Sequence, residues 1–260
     1  MDAASPHRRL MLLAPWLALA EARAAEPALR ALILDTEPFG YRNAAGEVVG
    51  LYVHLMRLLT ARAGLAAQVD IAPIARVVHQ VNLGTTDVTL LLPFHFGPGV
   101  RAIGVALQLE LLLLPRQGLV LTRPEDLAGL NVVGFRGTPA LGVLPGGIAL
   151  NLQEVSSARI MVSMVKAGRA DVVLGVRETL ISGLRAAGLR GDADDGFSPP
   201  LSLGHLDVSL WVRPELPVAT VEALARGLKG LQQSGEITRL RQHYFGDARL
   251  PLTDPPARRR

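Results

Sequence analysis

A chain of 260 residues, 49% of them apolar, has the material for a large buried core, which excludes general disorder. The formal charge of +4 includes the terminal run Arg258-Arg259-Arg260, and no element concentrates Lys/Arg with aromatics between them, so nucleic-acid binding is unsupported. With no cysteine, and with histidines scattered at positions 7, 54, 79, 95, 205 and 243, disulfides, thiolate chemistry and a histidine-based metal centre drop out, and no cofactor is expected.

Residues 1–24 read as a secretory signal: His7-Arg8-Arg9 is a basic start, Leu10 to Ala20 an apolar stretch too short to span a bilayer, and Ala22-Arg23-Ala24 a small-x-small cleavage pattern. The alternative is a buried N-terminal helix. Arg8-Arg9 also permits twin-arginine export, although the general route is favoured. With no cysteine at the cleavage site, lipoprotein attachment is not expected.

A strand ending at Leu34 then opens into a loop carrying Asp35, Glu37, Pro38, Phe39 and Tyr41, a polar Asn43/Gly46 turn and Val49-Gly50. The spacing of Leu51, Leu55, Leu58 and Leu59 predicts an amphipathic helix, stopped by Gly64. Ala67 to Ala72 alternates as a strand, Ile74 to Leu83 has helical periodicity, and Gly84 to Asp87 turns into the apolar strand Val88 to Leu92. This strand-helix alternation predicts a parallel α/β unit with right-handed crossovers.

The middle of the chain repeats the pattern: a strand over Leu130 to Phe135, a helix starting at Thr138-Pro139, and a strand near Ala149 to Val155. A helix with Ile160, Met161, Met164 and Val165 on its apolar side follows, then the strand Val172 to Gly175 and a helix from Arg177 to Ala187. Asp192 to Leu203 reads as a loop and His205 to Val212 as a strand. Two last helices carry Val221, Leu224, Leu228 and Leu231, then Ile237, Leu240 and Tyr244.

Five segments, in order, resemble periplasmic solute-binding proteins of family 3. They are the opening strand, Pro38-Phe39, turn and Val49-Gly50; Val81 to Asp87; Asp126-Leu127-Ala128-Gly129 with Val133 to Thr138; Gly168-Arg169-Ala170-Asp171; and the closing Leu231 to Gly246 with Tyr244-Phe245-Gly246. The resemblance implies an α/β fold of two lobes, a type II clamp joined by two crossing hinge strands near Leu111 to Gln117 and Leu206 to Val212. Lobe 1 would comprise residues 25–112 and 208–250, lobe 2 residues 113–207, and residues 251–260 a Pro/Arg-rich tail.

By the same resemblance the mature chain is a periplasmic monomer that captures a small polar solute, carboxylate-bearing and amino-acid-like, for the permease of an ABC-type uptake system. Arg101 would bind the ligand carboxylate with its planar fork of donors, and Gly137 and Thr138 would form the opposing anion half-site. Phe39, Tyr41 and Phe94 would enclose the ligand, with His95 and Phe96 on the same loop as Phe94, and Glu37 with Asp35 would meet an ammonium group. The family's acid for an α-ammonium falls on the neutral Val176, with Arg177 and Glu178 following. Its Phe-Asp-x-Asp after Val-Gly is here Leu51-Tyr52-Val53-His54.

Each of these residues also has an ordinary structural reading, Thr138 as a helix cap and Phe39 as a residue buried under its loop. A periplasmic sensor or accessory protein with a diverged ligand, or none, is the competing function. A dehydratase acting on cyclic acids, using Glu37, Glu110 or Glu178, is the enzymatic one. No nucleophile elbow, phosphate loop or dinucleotide glycine pattern is present.

Overall fold

A computed structural model describes residues 28–137, 144 and 148–246. The signal-like segment, the helix start at Thr138-Pro139 and the tail lie outside the described residues.

Eight strands form one mixed sheet whose two halves repeat the same order. In the first half β1 (Leu29–Leu34) pairs in parallel with β4 (Ala67–Ala72) and β5 (Val88–Leu91), and β5 pairs antiparallel with β10 (Leu201–Val212). In the second half β7 (Asn131–Phe135) pairs in parallel with β8 (Asn151–Val155) and β9 (Val172–Val176), and β9 pairs antiparallel with β6 (Arg101–Pro115). The halves meet where β6 and β10 pair antiparallel, from Arg101 opposite Val212 to Leu113 opposite Leu201. Both strands start earlier than the sequence predicts. Within them, Leu107 to Glu110 and His205 to Val208 have only each other as strand neighbours, because β5 reaches β10 at Ser209 and β9 reaches β6 at Leu111.

The helices α1 (Leu51–Arg62), α2 (Ile74–Asn82), α5 (Val218–Gln233) and α6 (Glu236–Phe245) pack about the first half, and α3 (Ala158–Lys166) and α4 (Arg177–Ala186) about the second. The 3.6-residue spacing of apolar positions accounts for most of the buried faces: Leu51, Leu55 and Leu59 in α1, and Leu224, Leu228 and Leu231 in α5. Two faces are turned slightly from the expectation. In α3 Val162 is buried while Ile160 is exposed, and in α6 Phe245 takes the buried place expected of Tyr244.

The loop before α1 is built as a helix cap. The carbonyls of Pro38 and Phe39 accept the first free N–H groups of α1, from Leu51 and Tyr52, each at 2.9 Å. For this the loop must lie against the helix start. Gly50 allows it with φ of 128°, and a Cβ there would sit 2.4 Å from the Phe39 carbonyl oxygen. The short strands β2 (Tyr41–Arg42) and β3 (Val48–Val49) close the same loop around Asn43, whose side-chain oxygen accepts from the N–H of Ala45 and of Glu47. Gly50→Ala is expected to cost at least about 2 kcal/mol of stability in urea denaturation, since the clash is with backbone and the dihedral is unfavourable for a side chain.

One aspartate per half fastens the sheet. Asp87 accepts the backbone N–H of Arg30 on β1 at 2.7 Å and the Nε of Arg213, the residue after β10, at 2.7 Å. Asp171 does the same in the second half, accepting the N–H of Asn131 on β7 at 3.0 Å and the Nε of Arg116, the residue after β6, at 2.9 Å. Burial pushes Asp87 upward, but the hydrogen bonds and charge of Arg30 and Arg213 outweigh it and its pKa falls below the usual value. Asp171 is lowered by the Asn131 N–H and then by Arg116. A carboxyl lowered in the folded state contributes stability that is complete above its unfolded pKa, near 4, and is lost as pH falls through the folded value. Asp87→Asn should therefore cost roughly 2 kcal/mol at pH 7 and Asp171→Asn roughly 1 kcal/mol, and both differences should shrink below about pH 4, measured by urea denaturation across pH.

Candidate functional site

The carboxyl ends of the parallel strands of both halves face one cleft. Its outer chamber, about 620 Å3, is lined on the first half by Asp35, Thr36, Glu37, Tyr41 and Pro73, and on the second by Arg136, Gly137, Ser157, Arg159 and Gly183. Thr36, Ile74 and Phe135 also line a deeper chamber of about 50 Å3, whose remaining wall is almost wholly apolar and includes Phe39, Leu91, Phe94, Leu109, Val176 and Leu206. That position follows from the fold, because strand-to-helix loops open at the carboxyl edge of a parallel sheet.

Of the residues singled out from the sequence, Glu37, Tyr41 and Gly137 reach the outer chamber, and Phe39 and Phe94 the deep one. Thr138 lies outside the described residues. Arg101 is not brought to the cleft: it is exposed at the start of β6, opposite Val212 and level with Val88. Leu91, where β5 meets the cleft, lies three residues or about 10 Å further along the sheet. The path of the loop between β5 and β6 explains the displacement. It folds back along the sheet, with the Gly97 N–H donating to Asn82 at 2.8 Å and Phe96 packed on Trp211 at 4.5 Å, so β6 starts far from the cleft.

Gly137 is at the cleft, but its N–H already donates to the Glu154 carboxylate at 3.2 Å. A protein carboxylate thus occupies the donor expected to meet a ligand anion. Val176 lines the deep chamber, and neither acid nearby replaces the missing carboxylate. Glu178, 2% exposed, turns to Arg241 of α6 and leaves its second oxygen, Oε2, without a partner among the described residues. Glu110 is held by Arg177. Burial pushes the Glu110 carboxyl up, but the Ser202 hydroxyl and the Arg177 guanidinium outweigh this and lower its pKa, which suits an ion-pair anchor better than a proton donor.

Asp35, Glu37 and Arg159 are exposed, and no hydrogen bond or ion pair engages their side chains among the described residues. They are therefore the charges available at the cleft mouth. Arg136 spends one N–H on the Glu154 carbonyl at 3.4 Å. Arg136, Arg159 and Thr179 were not singled out from the sequence. Arg136 directly follows β7, Arg159 lies in the first turn of α3 and Thr179 in that of α4, so the carboxyl-edge rule applied to the second half would have found them. No group of three or more metal-ligating side chains is found among the described residues.

No protein-family model matches the sequence, and no curated protein matches it either. Solved structures do share its fold. An ancestral arginine-binding protein bound to arginine aligns with a TM-score of 0.67 at 16% identity, over 85% of this chain and 100% of that one. The arginine-, lysine-, histidine-binding protein ArtJ from Geobacillus stearothermophilus aligns with a TM-score of 0.66 at 14% identity, over 88% and 97%. A histidine kinase sensor domain with similarity to periplasmic binding proteins aligns with a TM-score of 0.69 at 15% identity, over 84% and 96%. The chain thus has the two-lobed α/β fold of periplasmic solute-binding proteins, as the family 3 resemblance implies.

Glu110→Ala, which leaves the mostly buried Arg177 guanidinium without its carboxylate, is expected to cost roughly 2 kcal/mol, whereas the exposed Arg101→Ala should change stability by less than about 0.5 kcal/mol, both read by urea denaturation.

Proposed function

We propose that this chain is a solute receptor that closes its two lobes on a small polar molecule and delivers it to the permease of an ABC-type uptake system in the periplasm. The observation that carries the reading is the outer chamber, lined from both halves of the sheet and holding unengaged charges of both signs. A ligand touching both halves stabilises the closed arrangement over the open one, which is how such a clamp senses occupancy. In this reading the hinge is the two-stranded ribbon of Leu107 to Glu110 and His205 to Val208, earlier on β6 than the Leu111 to Gln117 expected from the resemblance. Lobe 1 is formed by the described residues of 25–112 and 208–250 and lobe 2 by those of 113–207. No helix among the described residues is long and apolar enough to cross a membrane.

Glu37, Tyr41, Phe39 and Phe94 remain the ligand contacts of this reading, joined by Asp35 and Arg159. The ligand carboxylate meets Arg159 and Arg136 in place of Arg101, so the recognition of an α-amino acid by the usual family groups is not carried over. The sensor or accessory reading draws support from the same departures, at Arg101, Gly137 and Val176. A binding role is favoured over a dehydratase because the buried acids beside the cleft are taken up by arginines.

A thermal-shift screen of residues 25–260 with amino acids, organic acids and amines tests this. A ligand at about 100 times its Kd should add roughly 2.7 kcal/mol and raise Tm by several degrees. Asp35→Asn combined with Glu37→Gln should weaken an ammonium-bearing hit by about tenfold without lowering the Tm of the free protein. A uniformly silent screen would favour the accessory reading, and turnover of a cyclic acid the enzyme.

A further inference from the structure

Resting on the receptor reading, we infer that the ligand is a dipolar molecule with an uncharged apolar substituent, held with its charges at the cleft mouth and the substituent in the deep chamber. Two observations carry this: the polarity of the chambers and the connection between them.

The deep chamber is walled by Leu91, Phe94, Leu109, Leu111, Val176 and Leu206, and among the described residues hydroxyls enter its lining only from Thr36, Tyr52 and Thr179. The Thr36 hydroxyl already donates to the Asp35 carbonyl at 2.8 Å. Desolvation pushes the Tyr52 phenol well above its ordinary pKa, so this group brings no charge. The Glu178–Arg241 ion pair acts on the Tyr52 phenol from behind this wall, but neither side chain is in the chamber's lining. A carboxylate or ammonium moved into the chamber would therefore lose its hydration with no charged lining side chain to replace it. Water also gains little there, since an apolar cavity offers few of the two to four polar partners a buried water needs. An apolar group is the occupant that loses nothing by entering.

The charges lie outside. Asp35 and Glu37 on the first half and Arg159 with Arg136 on the second line the outer chamber, whose volume of about 620 Å3 suits a small solute. Thr36, Ile74 and Phe135 line both chambers, so a head group seated among these charges can extend a substituent past Phe135 into the deep one. At about 50 Å3, the deep chamber has room for a few carbon atoms.

Isothermal titration of residues 25–260 with glycine, alanine, 2-aminobutyrate, norvaline and norleucine, against lysine and glutamate, tests the inference. Affinity should rise roughly three- to fourfold per methylene until the chamber fills, and norleucine should bind at least about tenfold tighter than lysine or glutamate. Leu206→Phe, at a half-buried position of the wall, should flatten the dependence on chain length. Val176→Asp should turn the preference toward lysine, and its Tm against the wild type shows whether it folds. A flat series, or lysine or glutamate binding as tightly as norleucine, would overturn the inference while leaving the receptor reading intact. Silence from all seven compounds would overturn it too, and the broader screen of amines and organic acids then decides the receptor reading separately.

Discussion

Each half of the sheet depends on one carboxylate. Asp87 and Asp171 stand at equivalent points, just before the third strand of their half, and each ties that half to the strand it shares with the other. The equivalence extends to the backbone: the N–H of Asp87 donates to Arg30 and its carbonyl accepts from Arg213, while the N–H of Asp171 donates to Asn131 and its carbonyl accepts from Arg116. A guanidinium and a backbone amide converge on each carboxylate, so the end of the shared strand is held by charge-assisted hydrogen bonds. Between these ends the middle of β6 and β10 is a two-stranded ribbon, tied to the second half by the Glu110–Arg177 ion pair.

The Gly-x-x-Asp turns legible in the sequence at Gly84 to Asp87 and Gly168 to Asp171 therefore report the framework. So do Val49-Gly50 and Pro38-Phe39, whose spacing allows loop carbonyls to cap α1. These motifs were readable because a positive-φ glycine, a helix cap or a buried acid at a strand start constrains the residue type directly. Strand and helix positions followed from periodicity for the same reason. The lengths of β6 and β10 did not, because Gly104 and Gly204 interrupt the apolar pattern, and a long antiparallel pair with several register shifts has no simple local signature.

The site was less legible than the fold. Of the residues expected on loops at the carboxyl edge, Glu37, Phe39, Tyr41, Phe94 and Gly137 reach the cleft. Arg101 does not, because its location depends on how far the preceding loop runs back along the sheet, and loop path leaves little trace in residue type. The engagement of the Gly137 N–H by Glu154 was equally hidden: it rests on a cross-strand contact between β7 and β8. Motif spacing identifies backbone geometry well, but whether a donor is free is a property of three-dimensional neighbours.

The use of acids beside the cleft links these points. Glu110 and Glu178 lie close to the deep chamber in sequence, yet both point at arginines, Arg177 and Arg241. A carboxylate so paired is oriented and engaged by its arginine, whereas acid–base work needs a group free to reach the substrate. Arg241 belongs to α6, and Arg185 of α4 donates to the Tyr244 and Phe245 carbonyls at the end of the same helix, so these contacts join α4 of the second half to α6 of the first. These acids are engaged in holding the two halves together behind the cleft. The wall in front of them is left apolar, and the charges unengaged among the described residues remain at the mouth.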